Sequence, residues 1–458
     1  MKRLLIVLSA FFAPALPGLA ALDDSEESVA AERRGAGGRA MMRDVRMRRL
    51  LPAAAVVLLA MSFAACGDGG SGSSSESAAP ALDNVQPIIV DAGPSSLPAG
   101  YGNVNVPFTT VTICVPGTDT CQSIDHVLVD TGSTGLRILG SVLTLTLPAT
   151  ATASGQPLGN CIQYADNSYQ WGPVATADIK MAGEVASSVP IQVAGAANFP
   201  AAPSDCSAGG TSADTVDGLG ANGLLGVGNF RQDCGPACTS SVGNPGSYFV
   251  CGPFGCTVTT VSLAAQLQNP VWMFPQDNNG LVIVLPQIGA GGAATVSGSM
   301  IFGIGTQANN ALNGAQAQAT DEYGNFTTTY NGVAYSSSFI DSGSNGLFFL
   351  DAPTTGLLDC GANSEEAGFY CPASTTSFTA LNTGTNPNGS AIQVSANAAF
   401  SIANAAALFN SPNTAFNNLG GDNPGAFDWG LPFFFGRDVF IGIEGQTSSA
   451  GVGPYWAY

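Results

Sequence analysis

Two short stretches hold the residues from which this chain could build an acid–base site. Val127-Leu128-Val129 runs into Asp130-Thr131-Gly132-Ser133, and Ser338-Phe339-Ile340 runs into Asp341-Ser342-Gly343-Ser344. Two carboxyls held in contact cannot both ionise at low cost, so they share a proton and divide the roles of acid and base. The base takes a proton from a water, the water attacks a carbonyl carbon, and the acid holds the developing oxyanion. Gly132 and Gly343 are expected to permit close backbone approach and unusual dihedrals. Thr131 and Ser342 are expected to bond across to the opposite loop, and Ser133 and Ser344 to hold the outer carboxyl oxygens. The chain has one histidine, His126, four residues before Asp130. With no Gly-x-Ser-x-Gly nucleophile motif beside it, His126 reads as a packed or surface residue, and acid–base chemistry falls to carboxylates.

These loops need strands to carry them. Short apolar or alternating runs recur between Gly, Pro, Asn and Ser clusters: Val104–Val115, Val127–Leu139, Val189–Val193, Leu281–Leu285, Met300–Gly305, Phe339–Leu350 and Val439–Ile443. They predict strands, and the class is mainly β. Val261–Leu267 and Ala398–Phe409 are the best candidate helices. The two Asp motifs form a long-period repeat, each with an apolar-apolar-Gly element downstream. Gly226 of Leu224-Leu225-Gly226 lies 96 residues after Asp130, and Gly436 of Phe434-Phe435-Gly436 lies 95 after Asp341. Duplicated lobes explain the match.

The paired Asp-Thr-Gly-Ser and Asp-Ser-Gly-Ser motifs and their apolar-apolar-Gly partners resemble those of the pepsin-like aspartic proteases. So does Ile162-Gln163-Tyr164-Ala165-Asp166-Asn167-Ser168, with Gly172 and Ala175–Met181 after it, which is similar to the flap hairpin of that family. The resemblance covers roughly residues 100 to 458. It implies two pseudo-symmetric β lobes with a central cleft, a catalytic pair Asp130 and Asp341, Tyr164 as the flap tyrosine, an extended peptide as substrate, and no metal or organic cofactor. There are departures. Thr134-Gly135-Leu136-Arg137 stands where the family usually has Ser-Asn-Leu-Trp, leaving Trp171 as the candidate support for Tyr164. Ala165 follows the tyrosine instead of Gly, and Ser344-Asn345-Gly346 replaces the common Thr-Ser.

Composition frames the rest. The 458 residues are 45% hydrophobic and 10% charged, with 58 Gly, as in a loop-rich β protein. From Gly67 onward only Arg137, Lys180, Arg231 and Arg437 are basic, against 26 acidic residues. Such a body repels phosphate backbones and excludes nucleic acid as a partner. Arg43 to Arg49, the apolar run Leu50–Met61 and Phe63-Ala64-Ala65-Cys66 resemble a lipoprotein signal ending at a lipidated Cys66, followed by a Gly/Ser tether. A simple membrane anchor is the alternative. Met1–Ala21 looks like a second signal, which places the true start at Met41, Met42 or Met47 on one reading.

The expected organisation is residues 1–66 for export, 67–100 for tether and lead-in, 101–297 for a first lobe with Asp130 and 298–458 for a second with Asp341. With Cys66 set aside, ten cysteines allow up to five disulfides, Cys114/Cys121, Cys251/Cys256 and Cys360/Cys371 being plausible neighbours. A zinc site at Cys234-x3-Cys238 lacks a second pair. Asp277-Asn278-Asn279-Gly280 reads as a turn sooner than a calcium loop. Two function classes stand side by side. One is a monomeric aspartic endopeptidase, lipid-anchored at the bacterial envelope with the outer membrane favoured over the inner. The other is a catalytically idle surface lipoprotein of the same fold that binds protein or glycan, with a purely structural lipoprotein as a third idea.

Overall fold

The computed structural model describes residues 84–152, 154–385 and 391–458. Cys66, the export segment, the Gly/Ser tether and the lead-in up to residue 83 lie outside the described residues. Strands dominate, gathered mainly into one sheet of 16 strands and one of seven. Six strands position the Asp motifs. They are β1 (Cys121–Asp130), β2 (Thr134–Leu139), β3 (Gly223–Val227), β4 (Val333–Ile340), β5 (Leu347–Leu350) and β6 (Asn423–Trp429).

β1 to β3 and β4 to β6 have the same wiring. β1 runs parallel to β3 with Asp130 opposite Gly226, and β2 runs antiparallel to β3 with Gly135 opposite Gly226. β4 runs parallel to β6 with Ile340 opposite Trp429, and β5 runs antiparallel to β6 with Leu347 opposite Trp429. The Asp341 N–H donates to the Trp429 carbonyl at 3.1 Å, and Leu431 N–H donates to Ser344 O at 2.8 Å just as Gly228 N–H donates to Ser133 O at 2.9 Å. Gly430 therefore stands to Asp341 as Gly226 stands to Asp130. Both positions need glycine for space: a Cβ would lie 2.6 Å from Thr134 N at Gly226 and 2.0 Å from Gly346 O at Gly430.

This corrects the expectation for the second apolar-apolar-Gly element. Phe434-Phe435-Gly436 sits beyond the loop, where Gly436 N–H donates to Leu285 O and leads into the strand Arg437–Gly442. The segment threaded behind Asp341 is Asp428-Trp429-Gly430. A search for two apolar residues before Gly passes over it because one of them is an acid.

The strands close around shared cores. Val127, Val129, Leu225, Ile340, Phe349 and Trp429 belong to one large buried cluster, while Leu128 and Leu224, pointing to the other sheet face as period-two alternation requires, belong to another. The strand Val296–Phe302, at the expected junction of the two halves, pairs with Val85–Val90 on one side and Gly280–Leu285 on the other.

Neither expected helix forms at length. Val261–Leu267 contains one 3₁₀ turn, Leu263–Ala265. Ala398–Phe409 begins inside the strand Ala391–Ile402 and ends in one helical turn, Ala405–Phe409, capped by the Asn404 side chain accepting from Ala407 N–H. Pairing with Thr376–Thr385 overrides the local helical preference of the alanines. At the Asp277 turn, the carboxylate accepts from the Thr306 hydroxyl and the Gln307 amide, and Asp277 itself adopts φ 48°. Among the described residues no helix is long and apolar enough to cross a membrane.

Among the described residues five disulfides form: the three neighbouring pairs, Cys234–Cys238, and Cys161–Cys206. The last closes a separation of 45 residues, against 4 for Cys234–Cys238. On chain entropy alone, replacing both Cys161 and Cys206 by Ser is expected to cost about 4 kcal/mol of unfolding free energy, and the same change at Cys234 and Cys238 about 2 kcal/mol. Denaturant titration of the two double variants checks the order; a smaller loss at Cys161/Cys206 would contradict it.

Candidate active site

Asp130 and Asp341 meet at the ends of β1 and β4, both with no exposed surface. Their side chains are hydrogen-bonded to each other. The Gly132 N–H donates to Asp130 Oδ1 at 2.8 Å and to Asp341 Oδ1 at 3.1 Å, so one amide serves both inner oxygens. Gly343 N–H donates to Asp341 Oδ1 at 2.8 Å. A Cβ on Gly132 would stand 2.7 Å from Asp341 Oδ1, and one on Gly343 would stand 2.6 Å from Asp130 Oδ1. Neither glycine is among the positive-φ residues. Their requirement is close approach alone, which removes the unusual dihedrals from the sequence-based expectation.

The two loops are tied by a reciprocal crossing. Thr131 Oγ1 donates to Ile340 O at 3.2 Å and accepts from Ser342 N–H at 2.9 Å. Ser342 Oγ donates to Val129 O at 2.7 Å and accepts from Thr131 N–H at 3.1 Å. Each hydroxyl thus uses its one proton and one of its lone pairs on the opposite loop. The outer oxygens are held from within each loop. Ser133 Oγ donates to Asp130 Oδ2, and Ser344 Oγ lies 2.8 Å from Asp341 Oδ2.

Burial, then repulsion from Asp341, pushes the Asp130 carboxyl well above the usual carboxylate range, against the opposing bonds from Ser133 and Gly132. Such a pair holds a proton at pH values where an exposed aspartate has lost it.

Tyr164 caps the hairpin of Leu158–Gln163 and Ser168–Met181. It is buried in the cluster that includes Leu128, Leu224, Phe108 and Val106. Its hydroxyl donates to Gln170 Oε1 at 2.6 Å. Burial raises its pKa, and the field of Asp130 acts in the same direction while that of Arg137 opposes it. Trp171 does not support it: the indole N–H donates to Pro200 O at 2.7 Å and the ring packs on Phe199 and Phe249. Gln170 is the residue that sequence reasoning missed, since nothing in a lone glutamine marks it. Arg137 is buried and donates to Thr134 O at 2.8 Å and Asp233 Oδ2 at 3.3 Å. Asp233 also accepts from the Tyr248 hydroxyl at 2.6 Å and the Asn160 amide at 3.0 Å.

A cavity of about 60 Å³ opens beside the pair, lined by Gly132, Ser133, Phe230, Tyr323 and Phe339 among others. Thr134, four residues after Asp130, also lines it. The matching position after Asp341 is Asn345, and there the chain covers itself. Asn105, at φ 54°, donates from Nδ2 to Asn345 O at 2.8 Å and to Phe416 O at 2.9 Å, and accepts from Phe416 N–H at 2.7 Å. His126 lies between Asp91, at 3.4 Å, and Asp125, at 3.2 Å; its hydrogen bond to Asp91 leads in raising its pKa. Among the described residues no group of three or more His, Cys, Asp or Glu side chains is placed to hold a metal ion.

Residues 80–458 match the model of a family described as a protein of unknown function, DUF3443. No curated protein matches the sequence. Among solved structures, the chain is similar to the aspartic proteinase from Irpex lacteus, with a TM-score of 0.43 and 13% identity over 81% of this chain and 96% of that one.

The raised Asp130 pKa has a consequence for stability. A carboxyl that keeps its proton in the native state contributes stability fully present below its unfolded value, about 3.9, and lost as pH rises through the folded value. Asp130→Asn removes that loss. Its melting temperature is expected to match that of the parent protein near pH 3 and to exceed it by a growing margin toward pH 7, as thermal melts across that range would read. A margin that shrinks with pH would contradict the protonated state.

Proposed function

The chain belongs to the DUF3443 family, whose function is unknown, and from its site we propose that it is an aspartic endopeptidase acting on extended peptides. The observation that carries this reading is the buried contact of Asp130 with Asp341, crossed by Thr131 and Ser342. Structural aspartates seldom sit in contact with no cation between them, because the repulsion is costly unless a shared proton relieves it. In the proposed reaction the ionised carboxyl takes a proton from a water held between the pair. The water oxygen bonds to the peptide carbonyl carbon, and the protonated carboxyl hydrogen-bonds and then protonates the carbonyl oxygen. Collapse of the tetrahedral intermediate breaks the C–N bond, and a dyad proton passes to the leaving amine. Two β lobes related by duplication, with the cleft between them and Tyr164 at its flap, belong to the same reading. So does the anchoring of a monomeric body to the bacterial envelope by lipid on Cys66.

One observation favours a second reading. Asn105 bridges to Asn345 and Phe416 beside the loop that carries Asp341. A cleft filled on that side by its own chain suits an inactive surface module that binds protein or glycan.

The test uses the soluble body from Gly67 onward, secreted under oxidising conditions, with an unfolded protein as substrate between about pH 3 and 7. Pepstatin-sensitive cleavage is expected, falling by about 10³-fold or more in Asp130→Asn and in Asp341→Asn. No cleavage from a folded, disulfide-bonded sample at any of these pH values would favour the binding module.

A further inference from the structure

A third carboxyl reaches the pair. Asp428, on β6, is 2% exposed and lies with Oδ2 2.6 Å from Ser344 Oγ, whose other neighbour is Asp341 Oδ2 at 2.8 Å. A serine hydroxyl has one proton. It can donate to one of the two carboxyls, and the other must donate to it. Asp428 is the member suited to be the donor. Its Oδ1 has no hydrogen-bond partner, and its register partners on the flanking strands are Phe339 and Phe348. An ionised carboxylate so placed would be buried with one bond in all, which is far costlier than a neutral acid.

We infer that Asp428 is a proton-holding positioning residue: as a neutral acid it donates to Ser344 Oγ, which turns its own proton onto Asp341 Oδ2 and keeps Asp341 the ionised, water-activating member of the pair. The charged groups acting on Asp428 are Asp341 and Asp130, both of which oppose its ionisation. Burial, the larger cause, pushes its pKa in the same upward direction, and only the Ser344 bond pulls it down. On this arrangement the two loops differ. Ser133 donates to Asp130 with no acid behind it, whereas Ser344 is oriented by Asp428. The asymmetry assigns Asp130 as the proton-bearing acid and Asp341 as the base.

The catalytic half of the inference rests on the endopeptidase reading; the proton on Asp428 does not. Infrared difference spectra in the Asp130→Asn background isolate the neutral-acid carbonyl band at neutral pH. That band is expected to be present, and to be lost when Asp428→Asn is added. Its survival in the double variant, or its absence beforehand, overturns the inference whether or not the protein cleaves peptides. Activity supplies the second readout, taken in the parent background. An amide can donate to Ser344 as the neutral acid does, so Asp428→Asn is expected to keep kcat within a few-fold. Its alkaline limb should extend upward, because one titrating group is gone. Asp428→Leu, which packs but cannot donate, is expected to lose about tenfold or more in kcat with KM little changed. Equal losses in both variants would mean that Asp428 works ionised, against the inference.

Discussion

Two like-charged groups touch at the centre of this molecule, and the crossing of Thr131 with Ser342 is what holds them there. Each hydroxyl bonds the backbone of the opposite loop, so neither loop can retreat without breaking bonds on both. The rest of the site follows from this constraint. Glycine is needed two residues past each Asp because the opposite carboxyl occupies the space a Cβ would take. Glycine is needed again behind each loop, at Gly226 and Gly430, because a third strand is threaded against the turn. A proton must reside in the pair because repulsion and burial leave no cheaper state.

The same interior handles charge in two ways. Around Asp233 a buried carboxyl is answered by Arg137, Tyr248 and Asn160, a cation and two hydrogen bonds that oppose the effect of burial without cancelling it. Around Asp130 and Asp428 no cation is among the groups that shift their protonation; carboxyls, hydroxyls and a backbone amide are. The first arrangement fixes structure, since it ties Asp233 to residues of three separate strands. The second leaves protons that can move, which acid–base chemistry requires. Arg137 and Asp130 both sit near enough to act on Tyr164, in opposite directions.

How much could be read beforehand depended on the range of the interaction. The Asp-Thr/Ser-Gly-Ser motifs are local, and their internal bonds, from Ser133 to Asp130 and from Gly343 to Asp341, follow from residues two or three apart. The strand runs are local too, since period-two alternation records which face is buried. The two candidate helices failed because the partners Thr376–Thr385 for one, and the turn chemistry around Leu263–Ala265 for the other, are invisible in a short window. Among the cysteines, three near pairs were legible from spacing, but Cys234–Cys238 drew notice only as half of a zinc site, and Cys161 and Cys206 join only through the folded hairpin and its neighbour.

The sequence by itself determined that this is a mainly β chain, that any acid–base chemistry would fall to carboxylates, and that Asp130 and Asp341 are the two to watch. Composition, a single histidine and a repeated motif carry that much, because each is a property of residue type and near spacing. Only the tertiary structure decided that Gly430 and not Gly436 backs the second loop, that Gln170 and not Trp171 holds Tyr164, and that Asp428 shares Ser344 with Asp341. The reason is physical. Register between strands some 90 residues apart is set by packing the whole sheet, and a buried acid in an apolar position looks like an error of pattern until the hydroxyl that receives its proton is in place.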